Sequence, residues 1–320
     1  MPRGRKIIKT IEIEERTVKS AAEEFYENNR VKGLAKATQK GYKDYVNAFI
    51  KWIGEESMLS DINLCALDKY MLYCEERGNK AVSVATIMVH LRRFFKFCHS
   101  RGYMEEIAIT IPKFEKELKE PYTDEEMKLL LEKPKSNNWV ELRNWCMINY
   151  FFATGQRLSS VLNIKVKDLD LSSGKVKLVW NKDKIQKYMP LSSAIIKVLR
   201  EYIKLSALHE EDYLFPEYEG KKLQTRSAED SIAEYNKRRG VYKTSIHLFR
   251  HTFAKNYIVA GGNPVKLQHL LNHKTIDMSM KYVNLYGTDI AADLDIFNPL
   301  DNFTRKNHAP TKRTVVKYTA

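Results

Sequence analysis

Apolar residues recur at helical spacing along most of this chain. Tyr42, Tyr45, Val46, Phe49 and Ile53 form one stripe, and Ile87, Leu91, Phe94, Phe95 and Cys98 form another. Residues three and four apart share one helix face, so both runs predict amphipathic helices with an inward side. The pattern is helical from about Thr17 to Gly102. The stretch Thr110–Tyr122 breaks it, being charged, with a proline near each end and no apolar period, as an interdomain linker would be. Thr123 and Glu126 then have the spacing of a capping box, which predicts a helix running through Met127, Leu130 and Leu131.

A second domain therefore begins near residue 121. It starts helical, through Trp145, Ile148, Tyr150 and Phe151. Between Val166 and Leu191 the period falls to two. VKDLDL, KVKLVW and KYMPLS are short alternating runs separated by Ser173-Gly174 and by the polar turn NKDKIQ, which predicts a three-stranded antiparallel sheet. Helical periodicity returns from Ala194. The expected architecture is mainly α: a basic tail over residues 1–16, a helical domain over 17–109, the linker over 110–122, a mostly helical domain with a small sheet over 123–287, and a C-terminal tail over 288–320. In that tail Thr288 is a candidate cap for a helix that places Ile290, Leu294 and Phe297 on one face.

Composition changes the picture mainly through charge. The 320 residues are 43% hydrophobic, enough to fill real cores, and carry a net charge of +14. Such an excess favours a polyanionic partner. Arg92, Arg93 and Lys96 are interleaved with the second stripe; they read either as a solvated outer face or as a surface for DNA. Pro2-Arg3-Gly4-Arg5-Lys6 resembles an AT-hook core, with Arg3 and Arg5 as candidates for a narrow minor groove. Cys65, Cys74, Cys98 and Cys146 form no CxxC pair, and three lie in apolar helical patterns, as reduced cysteines of a cytoplasmic protein would. No apolar run is long enough to span a membrane, and the start lacks a signal peptide's apolar run, so no membrane partner is expected.

Four segments of the second domain carry candidate chemistry. In Ala153-Thr-Gly-Gln-Arg157, a glycine that suits a helix C-cap precedes a guanidinium that suits bidentate contact to a phosphate. Lys182 and Lys184 sit in the turn between the last two strands, where a lysine serves solubility or acts as a mobile general acid. In His247-Leu-Phe-Arg250-His251, His247 and Arg250 are three apart and share a helix face. His273 ends the segment Leu270-Leu-Asn-His273 and stands nine residues before Tyr282. His269 and His273 have the spacing of zinc ligands, but no neighbouring Cys or carboxylate completes a tetrahedral set, so no metal is expected.

Each segment alone is weak. In order, Arg157, Lys182, His247 with Arg250, His273 and Tyr282 resemble the catalytic positions of the tyrosine recombinase (phage-integrase) family. ATGQRLSSVLNI resembles its first arginine box, HLFRHTFA with LLNHKTIDMSMKY its second, and residues 17–109 are similar to its core-DNA-binding domain. The resemblance spans roughly residues 17–285. It implies a site-specific DNA recombinase in which Tyr282 attacks a phosphate to form a 3′ phosphotyrosine. Arg157, Arg250 and His273 would stabilise the charge on the nonbridging oxygens, His247 would accept the phenolic proton, and Lys182 would protonate the leaving 5′ hydroxyl. No cofactor is implied. The partners implied are double-stranded DNA with paired sites and a homotetramer working through a Holliday junction, with an accessory DNA-bending or directionality factor and a C-terminal tail docked on a neighbouring protomer. Integration or excision of a mobile element is the expected role. Tyr286 is the competing nucleophile and Lys184 the competing acid. Type IB topoisomerase-like relaxation and a non-catalytic DNA-binding protein are the rival readings. Three departures stand out: Ser160 where the family usually has an acidic residue, and Asn181 and Asn272 where it usually has glycine. Asn tolerates left-handed backbone best after Gly, which makes the last two mild.

Overall fold

The computed structural model describes residues 15–112, 120–135, 138–179 and 186–286. The chain divides into two compact units, Met1–Leu118 and Lys119–Ala320. It is mainly helical with one small sheet, as the periodicity predicts.

The first unit contains α1 (Val18–Val31), α2 (Lys36–Ile53), α3 (Leu64–Glu76) and α4 (Ala81–Ser100). Thr17 caps α1, its hydroxyl accepting from the Ser20 N–H at 3.1 Å. Every residue of the second apolar stripe is buried on α4, whereas the first stripe buries only Val46 and Phe49 completely. Aromatic rings fill the centre. Phe25 of α1 lies 5.2 Å from the Tyr42 ring and 5.5 Å from that of Phe94, and Phe49 meets Tyr70 edge-on at 5.0 Å. Cys74 and Cys98 are buried here; Cys65 is exposed.

The second unit opens with α5 (Asp124–Leu131), and both halves of the capping box form. The Glu126 N–H donates to the Thr123 hydroxyl at 3.2 Å, and the Thr123 N–H donates to the Glu126 carboxylate at 2.8 Å. Next come α6 (Trp139–Thr154), the single turn α7 (Leu158–Val161), and strands β1 (Leu169–Asp170), β2 (Lys175–Val179) and β3 (Gln186–Pro190) in an antiparallel sheet. Val176 stands opposite both Leu169 and Met189. Then follow α8 (Ser193–Leu205), α9 (Thr225–Arg238), α10 (Ile246–Val259), α11 (Pro264–Leu271) and α12 (Asp277–Tyr286).

Helix α6 is the spine of this unit. Trp145, Cys146, Met147 and Ile148 are consecutive and all buried, so the helix is covered all round and α10 packs along it. Tyr122 fastens the chain just before α5 to α10. Its N–H donates to the Thr252 hydroxyl at 3.0 Å, and its ring stacks on Phe249 at 4.6 Å. Ala254, Ile258, Leu267, Leu271 and Tyr282 form a smaller apolar cluster of their own. Residues 1–14 of the N-terminal tail, the C-terminal tail and the turn with Asn181, Lys182 and Lys184 lie outside the described residues, as do Arg3 and Arg5.

Candidate active site

The last carbonyls of a helix have no partner within it. Two helices of the second unit bring such ends together. Helix α6 closes on Gly155 in the left-handed region, with φ of 60°. A Cβ there would lie 2.5 Å from Leu271 Cδ2 and 2.6 Å from Phe253 Cδ1, so glycine is required both for the backbone and for the close approach. Helix α11 closes on Asn272, also left-handed with φ of 48°, which is the conformation that made asparagine an acceptable replacement for glycine. Gln156 ties the two ends, its side-chain amide donating to the Leu270 carbonyl at 3.0 Å.

Arg250, from the first turns of α10, is clamped between these ends. Its Nη1 donates to the Gly155 carbonyl at 2.8 Å and its Nη2 to the Leu271 carbonyl at 2.7 Å. Carbonyls at helix C-termini carry partial negative charge, so they suit a buried cation. Burial, then the neighbouring charge of Arg157, lowers the Arg250 pKa to about 10, so it remains charged at neutral pH. Arg157 is half-buried; its Nη1 donates to the Asn272 carbonyl at 3.4 Å, and burial lowers its pKa too. Among the described residues neither guanidinium pairs with a carboxylate. Ser160, where an acidic residue was expected, is buried, and its N–H donates to the Arg157 carbonyl at 2.9 Å. The support for both arginines comes from backbone.

His273 follows Asn272 and is buried, with Nδ1 2.8 Å from the hydroxyl of Ser279, itself wholly buried. Burial, then Arg250 and Arg157, pushes its pKa down to about 4, so the ring is neutral at pH 7. Tyr282, on α12, is buried with its hydroxyl 2.7 Å from His251 Nδ1. Burial raises its pKa, and the charge of Arg250 offsets part of that rise. His251 lies one turn after His247 on α10, the rings meeting edge to face at 5.1 Å. His247, Arg157, Arg250 and Gln156 line a cavity of about 410 Å³, together with Arg226, Glu229 and Asp230 of α9. Tyr286 is half-buried, its ring 5.5 Å from the Lys255 ammonium.

The structure thus gathers Arg157, His247, Arg250, His273 and Tyr282 in one unit. In the first unit, Arg93 and Lys96 are exposed on α4, whereas Arg92 is half-buried and donates to the Ile109 carbonyl. Sequence reasoning quoted His251 without giving it a role and passed over Ser279. The signal for His251 was its i,i+4 spacing from His247 and its adjacency to Arg250. Chemically, two guanidiniums that among the described residues form no ion pair with a carboxylate make an anion site, next to a phenol that has a hydrogen-bonded imidazole.

Comparison with known proteins adds the following. Residues 121–288 match the phage integrase family, and residues 22–102 match the phage integrase N-terminal SAM-like domain. Tyrosine recombinase XerD of Proteus mirabilis is 25% identical over 265 residues, which cover 79% of this chain and 84% of that protein. The Tn1549 transposon integrase, solved in complex with transposon right end DNA, aligns with a TM-score of 0.73 at 17% identity, covering 88% of this chain and 99% of that one. A lambda integrase tetramer bound to a Holliday junction aligns with a TM-score of 0.69 at 18% identity, covering 84% and 77%. These two structural likenesses are of fold.

Proposed function

The chain belongs to the phage integrase family and is a tyrosine recombinase, and from that premise we propose that Tyr282 cuts DNA by forming a 3′ phosphotyrosine. The observation that carries this reading is the Tyr282 phenol buried beside Arg250, whose charge, like that of Arg157, meets backbone carbonyls and no carboxylate among the described residues. As the phenolic oxygen bonds to phosphorus, the bond from phosphorus to the 5′ oxygen breaks. The two guanidiniums, with His273, offset the charge that builds on the nonbridging oxygens. Lys182 delivers a proton to the leaving 5′ oxygen. Attack by a 5′ hydroxyl on the phosphotyrosine runs the sequence backwards and reseals the strand, so bond energy is conserved.

The proposal extends to four protomers exchanging strands between paired sites through a Holliday junction, in the integration or excision of a mobile element. Family membership supports it, and two integrases that share the fold were solved on transposon end DNA and as a tetramer on a Holliday junction. Exposed Arg93 and Lys96 are assigned to DNA phosphates.

A nicked suicide duplex tests the chemistry, built on inverted repeats recovered from DNA flanking the coding region. The wild-type protein is expected to give an SDS-stable adduct and Tyr282→Phe none. Adducts surviving in Tyr282→Phe would move the nucleophile to Tyr286. A wild-type protein that forms none on any recovered repeat would refute the reading.

A further inference from the structure

The hydrogen bond of Tyr282 leads to a second assignment, which rests on the phosphotyrosine reading. We propose that His251 is the group that takes the phenolic proton of Tyr282 during attack, leaving His247 to face the phosphate.

Geometry comes first. The Tyr282 oxygen lies 2.7 Å from His251 Nδ1, within the range for direct proton transfer. Burial holds the phenol above its ordinary pKa, so it keeps its proton; when that O–H donates to Nδ1, His251 carries its own proton on Nε2 and Nδ1 is the lone-pair nitrogen that takes the phenolic proton. Imidazole is the side chain whose protonation changes nearest neutral pH, which suits both directions of a reversible reaction. His247 lies one turn earlier and lines the cavity with Arg157 and Arg250, where the phosphate oxygens would sit. One histidine thus serves the nucleophile and the other the electrophile.

The balance of the step is closed. The Tyr282 oxygen bonds to phosphorus, its proton passes to His251 Nδ1, and the 5′ oxygen leaves with a proton from a separate acid. On resealing, Nδ1–H returns the proton to the phenolic oxygen. Among the described residues, the charged and titratable groups near this pair include Arg250 on its own helix, Arg157, His247, His273 and Tyr286, with Lys255 one turn after His251 on α10 and beside the Tyr286 ring.

The test is single-turnover adduct formation by His251→Gln, which can still accept a hydrogen bond but holds no basic nitrogen. The substrate is a suicide duplex with a bridging 5′-phosphorothiolate, whose sulfur leaves without an acid. At pH 7 the variant should react about 10²–10³-fold more slowly than wild type with unchanged DNA affinity. Its rate should climb by roughly tenfold per pH unit as phenolate accumulates, where the wild-type rate levels off. His251→Asn is measured alongside, so that one poorly folded variant does not decide the result. A rate within about threefold of wild type, or a slow rate with a wild-type pH profile, would overturn the assignment. So would His247→Gln showing the pH-dependent loss while His251→Gln does not. Failure of the phosphotyrosine reading looks different, because then wild type itself gives no adduct.

Discussion

The helices of the two units end differently. In the first unit each end closes on its own backbone: the N–H of Lys32 returns to Asn28, Gly54 to Ile50, Arg77 to Tyr73 and Arg101 to Phe97. In the second unit Gly155 returns to Phe151 and Asn272 to His269 in the same way. There, however, the carbonyls of Gly155, Leu271 and Asn272 also accept from arginines that are distant in sequence. One capping geometry finishes a helix in the first case and builds a cation site in the second. The difference lies in what approaches the end. A buried guanidinium held by carbonyls keeps its full charge for an incoming anion, because among the described residues no carboxylate pairs with it.

Three measurements would break or sharpen this contrast. Arg250→Lys has the largest expected effect. One ammonium cannot span two carbonyls in the fixed fork of a guanidinium, so adduct formation should fall by about 10²–10³-fold in single-turnover assays. Arg101→Lys, at an exposed pair with Glu24 in the first unit, should shift stability by about 1 kcal/mol or less in urea titrations. An adduct-formation rate for Arg250→Lys no lower than that of Arg101→Lys would mean that the carbonyl clamp is not special. Gly155→Ala is next: strain and overpacking against Leu271 and Phe253 should cost about 1–3 kcal/mol in the same titrations, with activity falling as the clamp shifts. Gly78→Ala, which meets open space, should lose only about 1 kcal/mol from its left-handed backbone. The smallest effect is on pH dependence. The His273 pKa is lowered to about 4 from 6.5, so the unfolded chain binds the extra proton between those values. Stability should fall as pH drops from 6.5 toward 4, and His273→Asn should flatten that decline by up to one proton in thermal melts.

Much of this site was legible because side chains at set spacings carry the signal. Arg157, Arg250, His273 and Tyr282 could be picked from their order, and Gly155 and Asn272 from the turns they had to make. The clamp was not legible, since a carbonyl looks the same at every position and only folding decides which one meets Arg250. Ser160 marks the same limit: the missing carboxylate is visible in the sequence, but the backbone carbonyl that Arg157 meets instead is not. His251 had no role in the sequence because nothing in its spacing says that α12 lays Tyr282 against it. In the first unit the apolar stripes located the helices well, but period alone could not say that Arg92 bonds the Ile109 carbonyl while Arg93 and Lys96 stay exposed.

The small apolar cluster that holds Tyr282 has a consequence for timing. Ala254, Ile258, Leu267 and Leu271 pack with Tyr282 apart from the main core of the unit. Two short helices, α11 and α12, depend on that cluster. Units with little buried surface open locally at a lower free energy than the whole domain. Tyr282 can therefore be withdrawn and returned while the spine formed by α6 stays folded. Amide exchange in α12 should be faster than in α6, and a covalently bound strand would slow it. How long a strand stays attached would then depend on this local equilibrium as well as on the chemistry at phosphorus.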